Sequence, residues 1–480
     1  MKRILRWLSL ATIAAATLAY AEAPPTMVWD ATYDSGNDDI AWDIAVDAEG
    51  SVYAAGTVDN RAIGNVVNLD WLVIKYNADG DTAWTRTWDS GTGDDETRSV
   101  VADGSGNVYA SGWFDNGTNL DLRLAKYDTD GNLLWESTRD SGGDDYGNAV
   151  TVDDDGYVYL AGREGPGIWP DRFYYAKYDP QGGLVWEAFY DVENHAESAF
   201  GIAVDAEGCI YMHGAIFTGV PDDGYDLLTL KCDAEGDTVW SRTINTGKPD
   251  YAAHNTVAVD TWGNVYICGW FDNDSLVSTR DWFVVKYDEG GNIEWEKVID
   301  TGYDDGAQGI AVDSDGFVYV TGPFQDETGW TNCITHKLDS DGQVVWESIY
   351  DIARGHGVAV DDSGFVYVSG HTYEGTDDDC LIIKYQQQQQ VGVAEQPSAS
   401  PLTLEVMGNP TTPTIRYSIP DGHPGMLMLY SVHGAMLETQ ALDPGRSHFV
   451  WSTCGTPSGV YFARLVAGES RLTARVVLAR

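Results

Sequence analysis

Basic residues are scarce in this chain: 28 Lys and Arg stand against 75 Asp and Glu, a formal charge of −47. Such a surface repels DNA, RNA and anionic lipid, so no nucleic-acid partner is expected; it favours cations, basic partners or a saline habitat. Long apolar runs are scarce as well. No stretch of the chain approaches the roughly 20 apolar residues that a membrane span needs, and no transmembrane helix is expected. Cysteine is limited to six among 480 residues. That supports a few disulfides at most, so a packed core must hold the fold. Catalytic and metal signatures are missing too: there is no nucleophile elbow, no HExxH, no zinc spacing and no EF-hand loop.

What is present begins with "MKRILRWLSLATIAAATLAYAEA". Lys2, Arg3 and Arg6 precede a short apolar run that ends in Ala19-Tyr20-Ala21, the pattern of a secretory signal peptide over residues 1–21. The expected location is therefore beyond the inner membrane, at the outer surface or outside the cell. The negative charge belongs to one region. Residues 1–22 carry +2 and residues 391–480 are neutral, which leaves −49 on residues 23–390.

That region is repetitive. "AVDAEGSVYAAG" at Ala45 returns six times, and its aspartate falls at Asp47, Asp103, Asp153, Asp205, Asp260, Asp313 and Asp361. Successive spacings of 56, 50, 52, 55, 53 and 48 residues leave room for four short strands, the period of a propeller blade. Within each copy, β-branched and aromatic residues flank an Asp-x-x-Gly corner. Farther on, "KYDTDGNLLW" at Lys126 marks a second hairpin, and six copies hold Lys and Trp nine residues apart. The seven lysines (Lys75, Lys126, Lys177, Lys231, Lys286, Lys337, Lys384) accompany the seven aspartates, which predicts a repeated structural ion pair.

The last copy, "LIIKYQQQQQ", has no tryptophan strand, whereas "MVWDATYDSGNDD" near the start supplies Trp29 with no Lys-Tyr before it. The two fragments complete one blade. The expected fold is all-β: a seven-bladed propeller over residues 27–385, closed by pairing strands from both ends, which removes exposed sheet edges. On these motifs the region resembles the bacterial SBBP-type β-propeller repeat, related in pattern to NHL-type propellers. The resemblance implies that the "AVD" strand lines the channel and the tryptophan strand lies outermost.

Residues 386–401 read as a polar linker. Beyond it, "GNPTTPTIRYSIP", "MLMLYSVHGAML" and "PSGVYFARLVAGESRLTARVVLAR" alternate as strands separated by turn residues, which suggests a small β-sandwich over residues 402–480. Asn409-Pro410, the turn at Gly434, Pro457 to Tyr461 and the basic end at Arg475 to Arg480 resemble a type IX secretion (type A) sorting domain, similar to an Ig-like fold. The resemblance implies the type IX secretion machinery as a partner through residues 402–480. An accessory Ig-like module is the alternative.

Two loop sets are expected on one face. The first, entering the inner strands, contains "DSGNDD" (Asp34), "DSGTGDD" (Asp89), "DSGGDD" (Asp140) and "DTGYDD" (Asp300). Calcium is a candidate there, although Asp-Ser-Gly is also an ordinary turn; no other cofactor is expected. The second set varies in length and is aromatic, with Trp113, Phe114, Trp169, Trp270, Phe271 and Trp330 as ligand-binding candidates or as packing between blades. The residue five before each aspartate belongs near the channel mouth: Trp42, Arg98, Asn148, Phe200, Asn255, Gln308 and His356. His213 and His336 read as packing residues. Cys209 and Cys232 are expected to lie opposite one another as a disulfide, while Cys268, Cys333, Cys380 and Cys454 have no assigned partner. No catalytic residue emerges. The expected function is binding an extracellular glycan or protein; the alternative is a polymer-degrading enzyme using a loop-face carboxylate pair.

Overall fold

Each repeat is organised by its Asp-x-x-Gly corner. In the first, one oxygen of Asp47 accepts the N–H groups of Glu49 and Ser51 at 3.0 and 2.8 Å, and Gly50 closes the turn at φ 81°. The other oxygen accepts the hydroxyl of Tyr53. The same bond recurs in all seven repeats, to Tyr109, Tyr159, Tyr211, Tyr266, Tyr319 and Tyr367, at 2.8–3.1 Å. This corrects the expected Lys–Asp pair. Tyrosine and lysine are register partners across the second and third strands, so the ammonium lies over the tyrosine ring, 4.7–5.8 Å from its centroid. The aspartate is left to the nearer phenol.

The computed structural model describes residues 22–60, 68–165, 171–192, 195–217, 225–246, 250–253, 255–272, 280–301, 303–326, 328–373 and 377–388, together with strands between 403 and 478. It divides into two units, Met1–Gln389 and Gln390–Arg480. In the first, seven antiparallel sheets follow one another, and six are built from consecutive strands. Asp39–Val46, Val52–Asp59, Leu69–Tyr76 and Thr82–Trp88 make the first of them. The remaining sheet takes Ala353–Val360, Phe365–Thr372 and Asp379–Gln386 from one end and Thr26–Tyr33 from the other, with Trp29 opposite Lys384. Inner strands of successive sheets pack in a closed cycle, and Asp39–Val46 touches both Glu96–Ala102 and Ala353–Val360. This is a β-propeller. Buried clusters lie between neighbouring sheets, as where Ala54 and Leu72 meet Tyr367 and Ile382 across the closing junction.

Tryptophan latches five of the seven sheets to the next, while at the junction after Trp186 the Tyr175 hydroxyl donates to Gly236 O at 3.0 Å. The indole N–H groups of Trp29, Trp84, Trp135, Trp240 and Trp295 donate to carbonyls of Ala78, Thr129, Pro180, Glu289 and Ser340, on the outer hairpin of the following sheet, at 2.8–3.1 Å. The hairpin glycine lies against the same ring. At Gly131, φ is 76° and an added Cβ would stand 2.8 Å from Trp84.

The last tryptophan strand, Val344–Tyr350, which carries Trp346 and ends the chain's last complete repeat, has no such hairpin after it. Gln387 replaces it: its Oε1 accepts Lys337 Nζ at 2.7 Å and Trp346 Nε1 at 3.4 Å, and its Nε2 donates to Gly364 O and Tyr319 Oη at 2.8 and 2.9 Å. Gln386 is still in the strand, opposite Thr26 and Phe365. Two residues of the expected linker thus belong to the ring, because a lysine, a tyrosine and an indole there need partners.

The predicted Cys209–Cys232 disulfide does not form. Both thiols are free, and the register sets Cys232 opposite Ile210 rather than Cys209. Neighbouring residues point to opposite faces, so Cys232 packs with Tyr175 and Met212 while Cys209 packs with Val265 and Trp240. Cys268, Cys333 and Cys380 are also free and buried; Cys454 lies outside the described residues.

In the second unit, Thr403–Asn409, Thr412–Ser418 and His448–Val450 form one sheet, and Met436–Leu442, Gly425–Ser431, Gly459–Ala467 and Ser470–Leu478 another. Ile415 and Tyr417 of the first share a buried cluster with Leu427, Leu429, Ala463 and Leu465 of the second.

Gln387→Ala should destabilise the first unit by about 1–3 kcal/mol, since it leaves several polar groups without a partner, whereas Gln388→Ala at an exposed position should change little. Equal denaturant midpoints for the two variants would refute the role given to Gln387.

Candidate functional site

The inner strands slip register where the sequence is most irregular. A bulge falls at Trp42, Arg98, Asn148, Phe200 and His356, each skipped in the pairing of its strand. Asn255 lies between Asp250–Tyr251 and Val257–Val259, and Gln308 precedes Gly309–Val312. Bulges re-aim side chains. They also explain the glycine ending each "VYxxG": a Cβ on Gly56 would stand 1.8 Å from the Ile40 carbonyl oxygen of the bulged strand.

The seven residues make contacts around the ring. The Arg98 guanidinium lies 4.2 and 4.7 Å from the ring centroids of Trp42 and Trp113 and pairs with Glu96. Trp42 packs on His356 at 4.6 Å; His356 bonds Gln308 through Nδ1 and His371 through Nε2, and His371 reaches the Tyr373 hydroxyl at 3.1 Å. Burial holds His371 in its neutral form, pushed down to about 4. Asn255, at φ 57°, approaches Ser99 Oγ at 3.4 Å. Their sheets are not neighbours, so this contact spans the channel. Ser99 also donates to Asp43 at 3.0 Å, and burial raises the Asp43 carboxyl to about 6.

Beside this ring a cavity of about 460 Å³ opens between the third and fourth sheets. Trp113, Tyr146, Phe200, Phe217 and Tyr225 supply apolar wall; Asn148, Arg163, Asp171, Glu197 and Ser198 supply polar groups. Arg163 lies over the Tyr146 ring at 4.2 Å and pairs with Asp171 at 3.3 Å. Glu197 is 1% exposed. Its Oε1 accepts the Val192 N–H at 2.9 Å, its Oε2 has no hydrogen-bond partner among the described residues, and burial, together with the charge of Asp191, raises the carboxyl to about 7.

Glu197 departs from a repeated device. At the same place in five other sheets stand Asp39, Asp95, Asp145, Asp250 and Asp305, each accepting both the N–H and the hydroxyl of Ser or Thr, or in Asp95 the N–H of Ser90 and of Asp115. In the fourth sheet the donor is Val192, which has no hydroxyl, and the acid is one methylene longer. This break was legible in the sequence as "DVENHAE" among "DSGxDD" loops, yet sequence reasoning passed over it, and over Tyr146, Arg163 and Asp171.

Of the aromatic candidates among the described residues, only Trp113 lines the cavity. Phe114 packs edge-on against Trp88 at 5.5 Å, Trp270 stacks on Tyr251 at 5.8 Å and Phe271 meets Phe283 at 6.4 Å. Trp330 is exposed, and Trp169 lies outside the described residues. His213 is fully buried with Nδ1 at 3.0 Å from Thr229 Oγ1, and burial pushes it down to about 3; His336 sits 3.3 Å from Glu347.

Three sets of carboxylates come together on the described residues: Asp70, Asp89 and Asp95; Asp121, Asp140 and Asp145; Asp281, Asp300 and Asp305, each with oxygens within 4.8 Å. Every set joins the start of a third strand to the loop entering the next inner strand, so the two loop sets share one end of the ring. These are the groups that could hold a divalent cation. Much of their capacity is already committed: Asn60 and Asn68 donate to Asp70, Asn116 and Asn119 to Asp121, and Thr301 to Asp305.

No protein-family model matches the chain, and no curated protein matches it. Among solved structures, the Dos1 propeller is 10% identical over 76% of this chain and 94% of its own, at a TM-score of 0.44. The Pan2 WD40 domain of Neurospora crassa is 11% identical over 76% and 96%, at 0.44, and a gluconolactonase from Xanthomonas campestris is 13% identical over 76% and 96%, at 0.33. Likeness this distant says nothing about activity. The propeller assignment rests on the closed cycle of sheets.

Burial raises Asp39, Asp70 and Asp305 to about 6, so the folded state binds these protons more tightly than the unfolded chain. Stability should therefore rise as pH falls from about 7.5 toward about 5, and Asp305→Asn should flatten the rise. Melting curves across that range read it; a stability that falls throughout would refute it. Calcium added to EDTA-treated protein at neutral pH should mimic the proton if these carboxylates take the ion, and leave the curve unmoved if they serve only the turns.

Proposed function

We propose that this chain is an exported binding protein: a seven-bladed propeller of the SBBP type over residues 27–385, carried by an Ig-like sorting domain of the type IX kind over residues 402–480. The observation that carries the binding reading is the cavity beside the channel mouth, where aromatic walls, an Arg–Asp pair and a buried acid with one oxygen unpartnered converge. A constant frame with irregular residues only at the bulges and loops supports it. The signal-like start and the ordered sorting motifs support export to the outer surface or the medium. The ligand expected there is an extracellular glycan or protein.

One observation favours an enzyme instead. Glu197, raised to about 7, shares the cavity with Asp171, and a carboxyl poised near neutrality beside a second carboxylate suits acid–base hydrolysis of a polymer. Asp171 is tied to Arg163, which favours binding over catalysis.

Deleting residues 402–480 should leave the propeller inside the cell envelope, while the full chain reaches the surface or the medium. Fractionation followed by immunoblotting reads the outcome, and equal export of both forms would refute the sorting role. A polysaccharide-degradation screen separates the two activities, since a binder releases no reducing ends.

A further inference from the structure

We propose that the cavity between the third and fourth sheets takes a neutral sugar ring of a glycan, with Glu197 donating a hydrogen bond from its acid form to a sugar hydroxyl. This rests on the loop-face binding reading and assigns its ligand class. Four observations carry it. Glu197 is buried, its Oε1 is used by the Val192 N–H, and Oε2 has no hydrogen-bond partner among the described residues. A buried carboxylate without a cation is costly, and the one guanidinium among the described residues lining the cavity, Arg163, is paired with Asp171. Burial thus favours the neutral acid over what a free carboxyl shows, in agreement with the rise in its proton affinity. An acid O–H in that position needs an acceptor, and a hydroxyl meets the need without introducing charge.

Charge selects against other ligands. An anion would enter a chain of net charge −47, beside Asp171 and Asp191. A cation would meet the Arg163 guanidinium, which lines the cavity and is already set over the Tyr146 ring. A sugar suits what is left. Its C–H face packs on the apolar wall of Phe217 and Tyr225, whose rings lie 5.2 Å apart, while its hydroxyls reach Glu197, Asn148 and the Arg163–Asp171 pair. The break in the repeat agrees with this. Five sheets consume both oxygens of the equivalent acid internally; of the two that lack the Ser or Thr, the closing sheet carries Ala353 in place of the acid, and the fourth, which keeps an acid, is the one that lines the cavity.

The full chain is applied to an array carrying neutral and acidic oligosaccharides, with free glucose, galactose and mannose as competitors to distinguish a free sugar from a glycan end. Neutral glycans should bind and acidic ones should not. Glu197→Leu, which removes the donor, and Tyr225→Ala, at an exposed wall position, should each weaken binding by about tenfold or more; Glu197→Leu also strips the Val192 N–H of its acceptor, so Tyr225→Ala is the variant expected to leave the melting temperature unchanged. Glu197→Gln, whose amide donates from the same place, should weaken it far less, by about threefold. Binding to no neutral glycan overturns the sugar assignment. Glycan binding undiminished by Glu197→Leu and Tyr225→Ala overturns the cavity as its site and leaves loop-face binding standing. Release of reducing ends that Glu197→Gln abolishes overturns the binding reading itself.

Discussion

The contact on which the ring depends is the one between a tryptophan and the glycine of the next hairpin. Each sheet can bury only one edge within itself, and the indole reaches past that edge to a carbonyl of its neighbour while its ring lies on the one residue type that leaves room for it. The latch runs from one sheet to the following one, and the pairing of the first strand with the last strand of the ring closes the cycle. The closing strand is therefore part of the repeat rather than an addition to it: Trp29 meets Lys384 inside its own sheet and Ala78 in the next.

Much of this was legible in the sequence because the frame is written seven times. Fixed Lys-to-Trp spacing locates the third and fourth strands, and a Trp29 without its Lys-Tyr locates the closure. The seven irregular residues five before each aspartate coincide with the seven interruptions of the inner strands. Where the reading went astray, it ignored which neighbour lies nearer. The lysine and the aspartate share a periodicity, yet the phenol between them takes the carboxylate. Cys209 and Cys232 looked opposite when strands were counted from the corner, yet a slip of one residue puts them on different faces.

The cavity was harder to see, since it arises from a departure rather than a motif. One hydroxyl absent at Val192 and one methylene added at Glu197 turn a satisfied turn into an acid with an open valence. Aromatic composition pointed to the loops, but most of those rings are spent on packing between strands. Likewise the acidic charge, which suggests ion binding when counted, is largely occupied by serine, threonine, asparagine and backbone N–H groups when placed. Repetition fixes the scaffold, and the exceptions to it carry whatever specificity the molecule has.

Gln387 gives the boundary between the two units a mechanical meaning. The side chain that finishes the last latch sits only two residues beyond Tyr385, so the peptide leading to the second unit is anchored at the rim of the propeller before it leaves. A protease that separates the units can cut after residue 388 and release a sealed ring. A cut two residues earlier would remove the key from the lock, leaving the Trp346 indole N–H without its acceptor and Lys337 and Tyr319 each short of one partner.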